Sequence, residues 1–179
     1  QLRDSEGRYR ALFDDSPISL WEEDFSAVKD YIDSLRASGV SDLASYFFQH
    51  RDAVIHCCNL IKVLNVNQAT YDIMDVEVKD TLLDTLGPLF NQKWQQSLSR
   101  EIVSFSRDIT RFRSETIQFD RDDKKRHLSL TSTIAPGYED TWERVYVSIA
   151  DITERVTVAE ALATSESQLE LVLEGVELG

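Results

Sequence analysis

The pattern of apolar and polar residues along the chain predicts five β-strands. In the last of them Val145, Val147 and Ile149 alternate with other residues, which makes one face of that strand apolar. The predicted strands cover residues 18–25, 60–66, 114–120, 127–135 and 143–150. Because the connections between the last three are short and polar, we expect these three strands to pair consecutively as antiparallel neighbours.

Apolar residues spaced three and four apart predict helices in the other segments. These helices cover residues 4–14, three stretches within 26–59, the short segments 67–74 and 77–83, and a long run that carries Phe90, Trp94, Leu98, Ile102, Phe105 and Ile109. The order of strand, helices, strand, helices and three strands indicates an α+β domain with one antiparallel sheet and its helices on one face. A sheet covered by helices encloses a cavity, so such a domain is able to hold a small ligand.

The last predicted strand runs directly into a predicted helix at residues 154–178. Thr153 is placed to act as the N-cap of this helix, and Glu154 lies in its first turn, where a negative charge is favourable. We expect Asp151 to lie at the junction, with its carboxylate bonded to exposed N–H groups or to a nearby arginine. A strand that continues into an exposed helix is a mechanical connection, so a change in the sheet can be transmitted along that helix.

Three segments of the sequence resemble PAS sensory domains. Residues 151–155, Asp-Ile-Thr-Glu-Arg, are similar to the signature that follows the last strand of such domains. Residues 5–13, followed by Ser-Pro-Ile at 16–18, resemble the helix and turn that precede the first strand. Residues 63–69, Val-Leu-Asn-Val-Asn-Gln-Ala, resemble the second strand and the start of the next helix.

This resemblance implies a PAS-like five-stranded antiparallel sheet with helices on one face. It implies an N-terminal helix at 1–17, a sensory domain at 18–152 and a C-terminal signalling helix at 153–179. The segment 26–59 is then a helical insertion between the first two strands, which PAS domains normally join tightly. The resemblance also implies a module of a multidomain bacterial or archaeal signal-transduction protein, upstream of a histidine kinase or diguanylate cyclase output domain.

The two ends of the chain resemble each other. Residues 165–174 repeat the pattern of residues 5–14 at an offset of 160, with coinciding Ser-Glu pairs, apolar positions and acidic positions. Internal similarity at the length of a domain predicts a tandem repeat, whose second copy begins at the C-terminal end. The chain begins with Gln1, and we interpret it as one module of a longer protein. Chance similarity between two amphipathic helices is the alternative.

The net charge of −13 argues against a nucleic-acid partner, because phosphate binding needs clustered lysine and arginine. No stretch approaches the ~18 apolar residues of a membrane span, so we expect no membrane contact by this fragment. Cys57 and Cys58 are adjacent and poorly placed to bridge each other, which fits a reducing compartment. We therefore expect a cytoplasmic domain, whether or not the parent protein is anchored in a membrane.

The cluster of His50, His56, Cys57 and Cys58 suggests a metal or haem site. On a helix His56 lies roughly 120° from the face of His50, and no second Cys or His group completes a tetrahedral set. We therefore expect no metal and find no support for haem. The Gly-Arg-Asn-Cys type of motif that flavin-binding PAS domains carry is absent, so flavin is disfavoured and the cofactor stays unknown. Nucleotide-binding, hydrolase, kinase and cyclase motifs are absent too, and we expect no catalytic residues.

Residues of the predicted sheet and helices form a candidate ligand pocket. They are Trp21, Tyr71, Met74, Phe90, Trp94, Ile117, Phe119, Leu128, Leu130, Val147 and Ile149. Candidate hydrogen-bonding groups belong to Tyr71, Thr116, Gln118, Ser129 and Thr131. The sequence leaves open which face of each strand looks inward. The alternative is that the apolar residues simply fill a core.

The predicted C-terminal helix carries apolar residues at spacings of three and four, as in an imperfect coiled-coil seam. These residues are Ile152, Val156, Ala159, Ala163, Leu169, either Val172 or Leu173, and Val176. We expect a homodimer through the terminal helices; packing of the helix on its own domain is the alternative. The predicted function is sensing of a small ligand or a partner, with transmission to an adjacent PAS or output domain. The alternative function is a constitutive dimerisation or spacer module with a filled core.

Overall fold

The structure of the chain, a computed structural model, describes residues 11–74, 92–119 and 124–177. Several predicted features therefore lie outside the described residues. They are the helix at 77–83, Phe90, residues 1–10 of the N-terminal helix and the centre of the charged turn at 121–126. The repeat between 5–14 and 165–174 stays a prediction for the same reason.

The strands are β1 (Ser19–Asp24), β2 (Lys62–Val66), β3 (Arg111–Phe119), β4 (Lys125–Ile134) and β5 (Val145–Asp151). The helices are α1 (Ser26–Ala37), α2 (Leu43–Gln49), α3 (Arg51–Leu60), α4 (Gln68–Met74), α5 (Gln92–Phe105) and α6 (Thr153–Glu177). One antiparallel sheet contains the five strands in the order β2-β1-β5-β4-β3. The predicted α+β class, the five strands and the consecutive pairing of β3, β4 and β5 are confirmed.

The register of the strands identifies the inner face of the sheet. Trp21 lies opposite Val147, and Val147 lies opposite Ser132. All three residues are buried. Because directly opposite residues point to the same side of a sheet, this row marks the covered face. Helix α5 lies over that face, where the hydroxyl of Ser97 is 2.6 Å from the hydroxyl of Ser114 on β3.

The helical insertion is part of the hydrophobic core. Its three helices contribute the buried residues Val28, Ile32, Leu35, Leu43, Phe47, Ala53, Val54 and Cys57. These belong to the same apolar cluster as Ile102 and Phe105 of α5. The ring of Phe105 contacts the rings of Phe25 and Trp142 edge to face, with centroid distances of 6.2 and 5.6 Å. The insertion therefore helps to hold α5 in place over the sheet.

Helix α5 ends at Phe105, so the prediction that its apolar stripe continues to Ile109 is wrong. Asp108 adopts the left-handed conformation, with φ of 61°. The N–H groups of Asp108 and Ile109 donate to the carbonyls of Phe105 and Ser104, which is the bond pair of a Schellman C-cap. This cap turns the chain out of the helix, and β3 begins at Arg111, earlier than predicted.

Candidate functional site

The candidate site is the interior between the inner face of the sheet and helix α5. Five of the predicted pocket residues are buried on this face: Trp21, Leu128, Leu130, Val147 and Ile149. Tyr71 and Trp94 are partly buried and pack against the same core. Phe90 and the side chains of Met74 and Phe119 lie outside the described part of the chain.

The prediction that Ile117 faces the interior is wrong. Ile117 lies opposite His127, whereas its neighbour Thr116 lies opposite the buried Leu128. Successive side chains of a strand point to opposite faces, so β3 turns Thr116 and Gln118 inward and Ile117 outward. The inner face of this strand is therefore polar at the positions where an apolar core would be expected.

Two glutamates on different elements face the interior. Glu23 of β1 is partly buried and lies opposite Val145, and Glu101 of α5 is 5% exposed. Burial raises the pKa of Glu101 to about 7, and the nearby Ser132 hydroxyl partly offsets this effect. Burial raises the pKa of Glu23 to about 8, with a further contribution from the charge of Glu101. The interior therefore favours the protonated carboxyl at both positions, and sequence reasoning missed the pair because the two residues share no local pattern.

Four buried polar atoms around this interior have no hydrogen-bond partner among the described residues. They are Glu101 Oε1, Ser132 Oγ, Thr116 Oγ1 and Gln118 Oε1. Ser132 is close enough to Glu101 to affect its pKa, yet the two groups lack hydrogen-bonding geometry. Buried polar groups are normally paired, so a filled apolar core does not account for these four. Thr116 and Gln118 are neighbours on the inner face of β3, whereas Ser132 lies opposite Phe112, four residues from Thr116 along that strand.

Asn67, which follows β2 directly, fastens the N-terminal segment to the sheet. Its amide nitrogen donates to the carbonyls of Phe13 and Ile18 at 3.0 and 2.8 Å. Its Oδ1 accepts from the N–H of Leu20 at 2.9 Å. The side chain is fully buried and well paired, which indicates a structural role, and sequence reasoning used it only as part of the family resemblance.

The first turn of α6 is bonded to two strands. Thr153 Oγ1 accepts from the N–H of His127 in β4 at 2.8 Å, and Arg155 Nη2 donates to Glu115 Oε1 in β3 at 3.1 Å. Asp151 Oδ1 accepts from the N–H of Thr153 at 2.9 Å, so the prediction of a carboxylate bonded at this junction is confirmed. The prediction that Thr153 caps the helix is wrong, because its hydroxyl oxygen is engaged by β4 instead.

Beyond its first turn, α6 does not pack on the domain. Residues 157–169 are all exposed, and Val158, Leu162 and Leu169 have exposed fractions of 62%, 59% and 59%. Packing of this stretch on its own domain is therefore ruled out within the described residues. The seam stays available to another chain, and homodimerisation stays a prediction.

The histidines and cysteines of the insertion take part in packing. The ring of His50 stacks on Tyr46 at 4.2 Å, and the ring of His56 meets Tyr31 edge to face at 4.7 Å. Cys57 is fully buried, and burial together with Cys58 raises the pKa of its thiol to about 12. Across the described ranges no group of three or more His, Cys, Asp or Glu residues is arranged to hold a metal.

Within the residues that the structure describes, none of the helices combines the length and apolar character needed to cross a bilayer.

Comparison with known proteins shows a likeness of fold. No protein-family model matches the sequence, and no curated protein matches it significantly. A domain of the sensory box sensor histidine kinase/response regulator from Geobacter sulfurreducens is similar in structure, with a TM-score of 0.50 and 14% identity, covering 84% of this chain and 97% of that one. The PAS domain of a protein from Colwellia psychrerythraea has a TM-score of 0.52 and 10% identity, covering 84% of this chain and 98% of that one. The PAS-like fold that the sequence resemblance implied is confirmed.

Proposed function

We propose that this PAS-fold domain is a non-catalytic sensor that binds a small polar ligand and signals through α6 to an output domain. The observation that carries the proposal is the set of buried polar atoms without a partner on the inner side, at the neighbouring positions Thr116 and Gln118 of β3 and, farther along the sheet, at Ser132 and Glu101. The Geobacter domain of similar fold belongs to a sensor histidine kinase/response regulator, which supports an output of the histidine kinase class.

The ligand that fits this interior carries hydrogen-bond donors. Gln118 Oε1 accepts only, the Glu101 carboxyl accepts and in its protonated form also donates, and the hydroxyls of Ser132 and Thr116 do either. An amine or a polyhydroxyl compound supplies the matching donors. The buried ring of Trp21 and its neighbours in the sheet provide the apolar walls for its carbon skeleton.

The route from this site to α6 is short. Thr116 is the neighbour of Glu115, which binds Arg155 at the base of the helix. Across the strand pair Thr116 lies opposite Leu128, the neighbour of His127, whose N–H is bonded to the first residue of α6. A ligand that shifts β3 against β4 therefore acts on both attachments of the helix at once.

Native mass spectrometry of the purified chain, after incubation with a small-molecule extract of the expression host, tests ligand binding. We expect a retained adduct on the wild type and its loss in Thr116→Val, which removes the hydroxyl at nearly constant volume. Thr131→Val is the matched control. Thr131 follows the buried, inward-facing Leu130 on β4, so its own side chain points to the outer face of the sheet. A wild type with no adduct, or an adduct that survives Thr116→Val, contradicts interior binding and favours the spacer function.

Signal transmission is tested at the junction in the full-length protein. Thr153→Val removes the bond to β4, and one hydrogen bond contributes about 1 kcal/mol. That is small against a domain stability of roughly 5–15 kcal/mol, yet comparable with coupling energies of ~1–3 kcal/mol. We therefore expect a normal melting curve and altered output with and without stimulus. Thr157→Val is the control, since its hydroxyl bonds only within α6. Unchanged output in Thr153→Val and in Asp151→Ala identifies the junction as a passive linker.

Dimerisation is tested on the exposed seam of α6. Leu169→Glu places a charge in the seam, so we expect it to shift the chain towards monomer in sedimentation equilibrium, because a buried unpaired charge is costly. Thr164→Glu adds the same charge about 140° around the helix and should leave the association constant unchanged. If the wild type is monomeric at all concentrations, α6 does not form a dimer seam. The alternative function as a constitutive dimerisation or spacer module is then refuted as well.

A further inference from the structure

A groove of about 440 Å³ lies between α5 and the helical insertion. Its α5 wall carries Gln96, Ser99, Arg100 and Val103 at helical spacing, and Arg107 follows in the turn after the helix. The opposite wall comes from α2 and the start of α3, and Phe112 of β3 also lines the groove. The groove therefore exists because the insertion packs against α5, and Glu101, which faces the interior, is not among the described residues that line it.

The charge of this groove is opposite to that of the chain. Thirteen of the described residues line it, and these include Arg51, Arg100 and Arg107 but no Asp or Glu. The whole chain has 32 acidic and 19 basic residues, so a lining without acids departs from its general composition. Among the described acids, Asp42 interacts with Arg107, and its carboxylate is already bonded to the N–H groups at the start of α2.

The wall opposite the arginines is apolar. Phe47 and Val54 form a buried base with 3% and 4% exposure. Phe48 stands at the rim with 85% of its side chain exposed, although its neighbour Phe47 is fully packed. The groove therefore offers an exposed phenyl ring for stacking and guanidinium groups that carry positive charge.

We infer that this groove is a second binding site, for a small organic anion with an apolar body. Arg100 and Arg107 offer planar guanidinium groups, which pair bidentately with a carboxylate, sulfonate or phosphate. The body of the anion lies against Phe47 and Phe48. The volume falls within the ~300–1,000 Å³ of small-molecule sites, and the α5 wall from residue 96 to 104 is about 12 Å long, which suits an elongated aromatic or acyl compound.

The probe for this site is 1-anilinonaphthalene-8-sulfonate, an aromatic sulfonate that fluoresces in apolar surroundings. We expect saturable one-to-one binding to the folded full chain. The double variant Arg100→Gln, Arg107→Gln should bind about tenfold more weakly or worse, the factor for one lost charge-assisted hydrogen bond. Phe48→Ser should weaken binding as well. Arg113→Gln is the matched control, since Arg113 is exposed on β3 outside the groove.

The uncharged analogue N-phenyl-1-naphthylamine separates charge from stacking. It should bind the wild type and the double arginine variant alike and bind Phe48→Ser less well. Equal sulfonate binding by the wild type and the double variant overturns the inference, as does an equal loss in Arg113→Gln. If the double variant does not fold, the variant Arg100→Lys, Arg107→Lys keeps both positive charges but lacks the planar guanidinium groups. Sulfonate affinity equal to that of the wild type in this variant also overturns the inference. If the wild type self-associates and the arginine variants do not, the groove binds a second copy of the chain. That result overturns the small-molecule site.

Discussion

Replacing both interior glutamates, Glu23→Gln with Glu101→Gln, is expected to raise the melting temperature strongly at about pH 9 and much less at about pH 5.5. Burial raises the pKa of Glu101 to about 7 and, with a contribution from Glu101, that of Glu23 to about 8. The fold therefore prefers the protonated carboxyls. Glutamine has a similar shape and is neutral at every pH, so it removes the cost of ionisation.

The direction follows from the two states of the chain. Stability that comes from a raised carboxyl pKa is fully present below the ordinary value of 4.5 and is lost as the pH rises through about 8. One pKa unit corresponds to ~1.4 kcal/mol, so the wild type should lose on the order of a few kcal/mol across this range. Melting curves over the range measure it, with the exposed Glu143→Gln as the control that follows the wild type. If the difference in melting temperature between the double variant and the wild type becomes smaller towards alkaline pH, the two glutamates are not buried as described.

Ile32→Ala in the insertion is expected to lower the free energy of unfolding of the whole domain by about 2–5 kcal/mol. Ile32 is fully buried and belongs to the same apolar cluster as the sheet residues Val147 and Ile149. The truncation leaves a cavity in that shared core, so the sheet and the insertion should lose stability together. Urea unfolding followed by tryptophan fluorescence and by circular dichroism measures the change.

The control for Ile32→Ala lies in the same insertion. Ile55 of α3 is 46% exposed, and Ile55→Ala should change the free energy of unfolding by about 0.5 kcal/mol or less. Ile32→Ala should keep one coincident transition for both probes. A separate early transition, with the sheet unfolding at the wild-type urea concentration, would show that the insertion is an independent appendage.

The sequence predicts a strand and its inward face correctly where the alternating apolar residues are also the buried ones. In β5 the inward positions Val145, Val147 and Ile149 are apolar and buried, so the hydrophobic pattern and the fold select the same face. In β3 the inward positions include Thr116 and Gln118, and the apolar Ile117 points away. A strand that lines a polar interior inverts the rule that apolar residues mark the covered side, so the sequence pattern left this face open and placed Ile117 among the pocket candidates wrongly.

The other features that the sequence did not predict depend on contacts between segments that are distant along the chain. Thr153 has the sequence context of an N-cap, but its hydroxyl binds the backbone of His127, which only the pairing of β4 with β5 brings near. Glu23 and Glu101 likewise meet only when α5 crosses the sheet. Local rules describe what a residue can do within its own element, and they carry no information about a partner supplied by the tertiary fold.

The position of β1 inside the sheet has a consequence for how the domain is made. Its neighbours are β2 on one side and β5 on the other, so Ser19 pairs with Ile149 near the far end of the chain. The hairpins β3-β4 and β4-β5 are local, whereas this pairing closes a very long loop and is expected to form late. A ribosome must therefore release β5 before the sheet closes, and until then the indole of Trp21 and the inner face remain open to chaperones, to proteases and to other nascent chains.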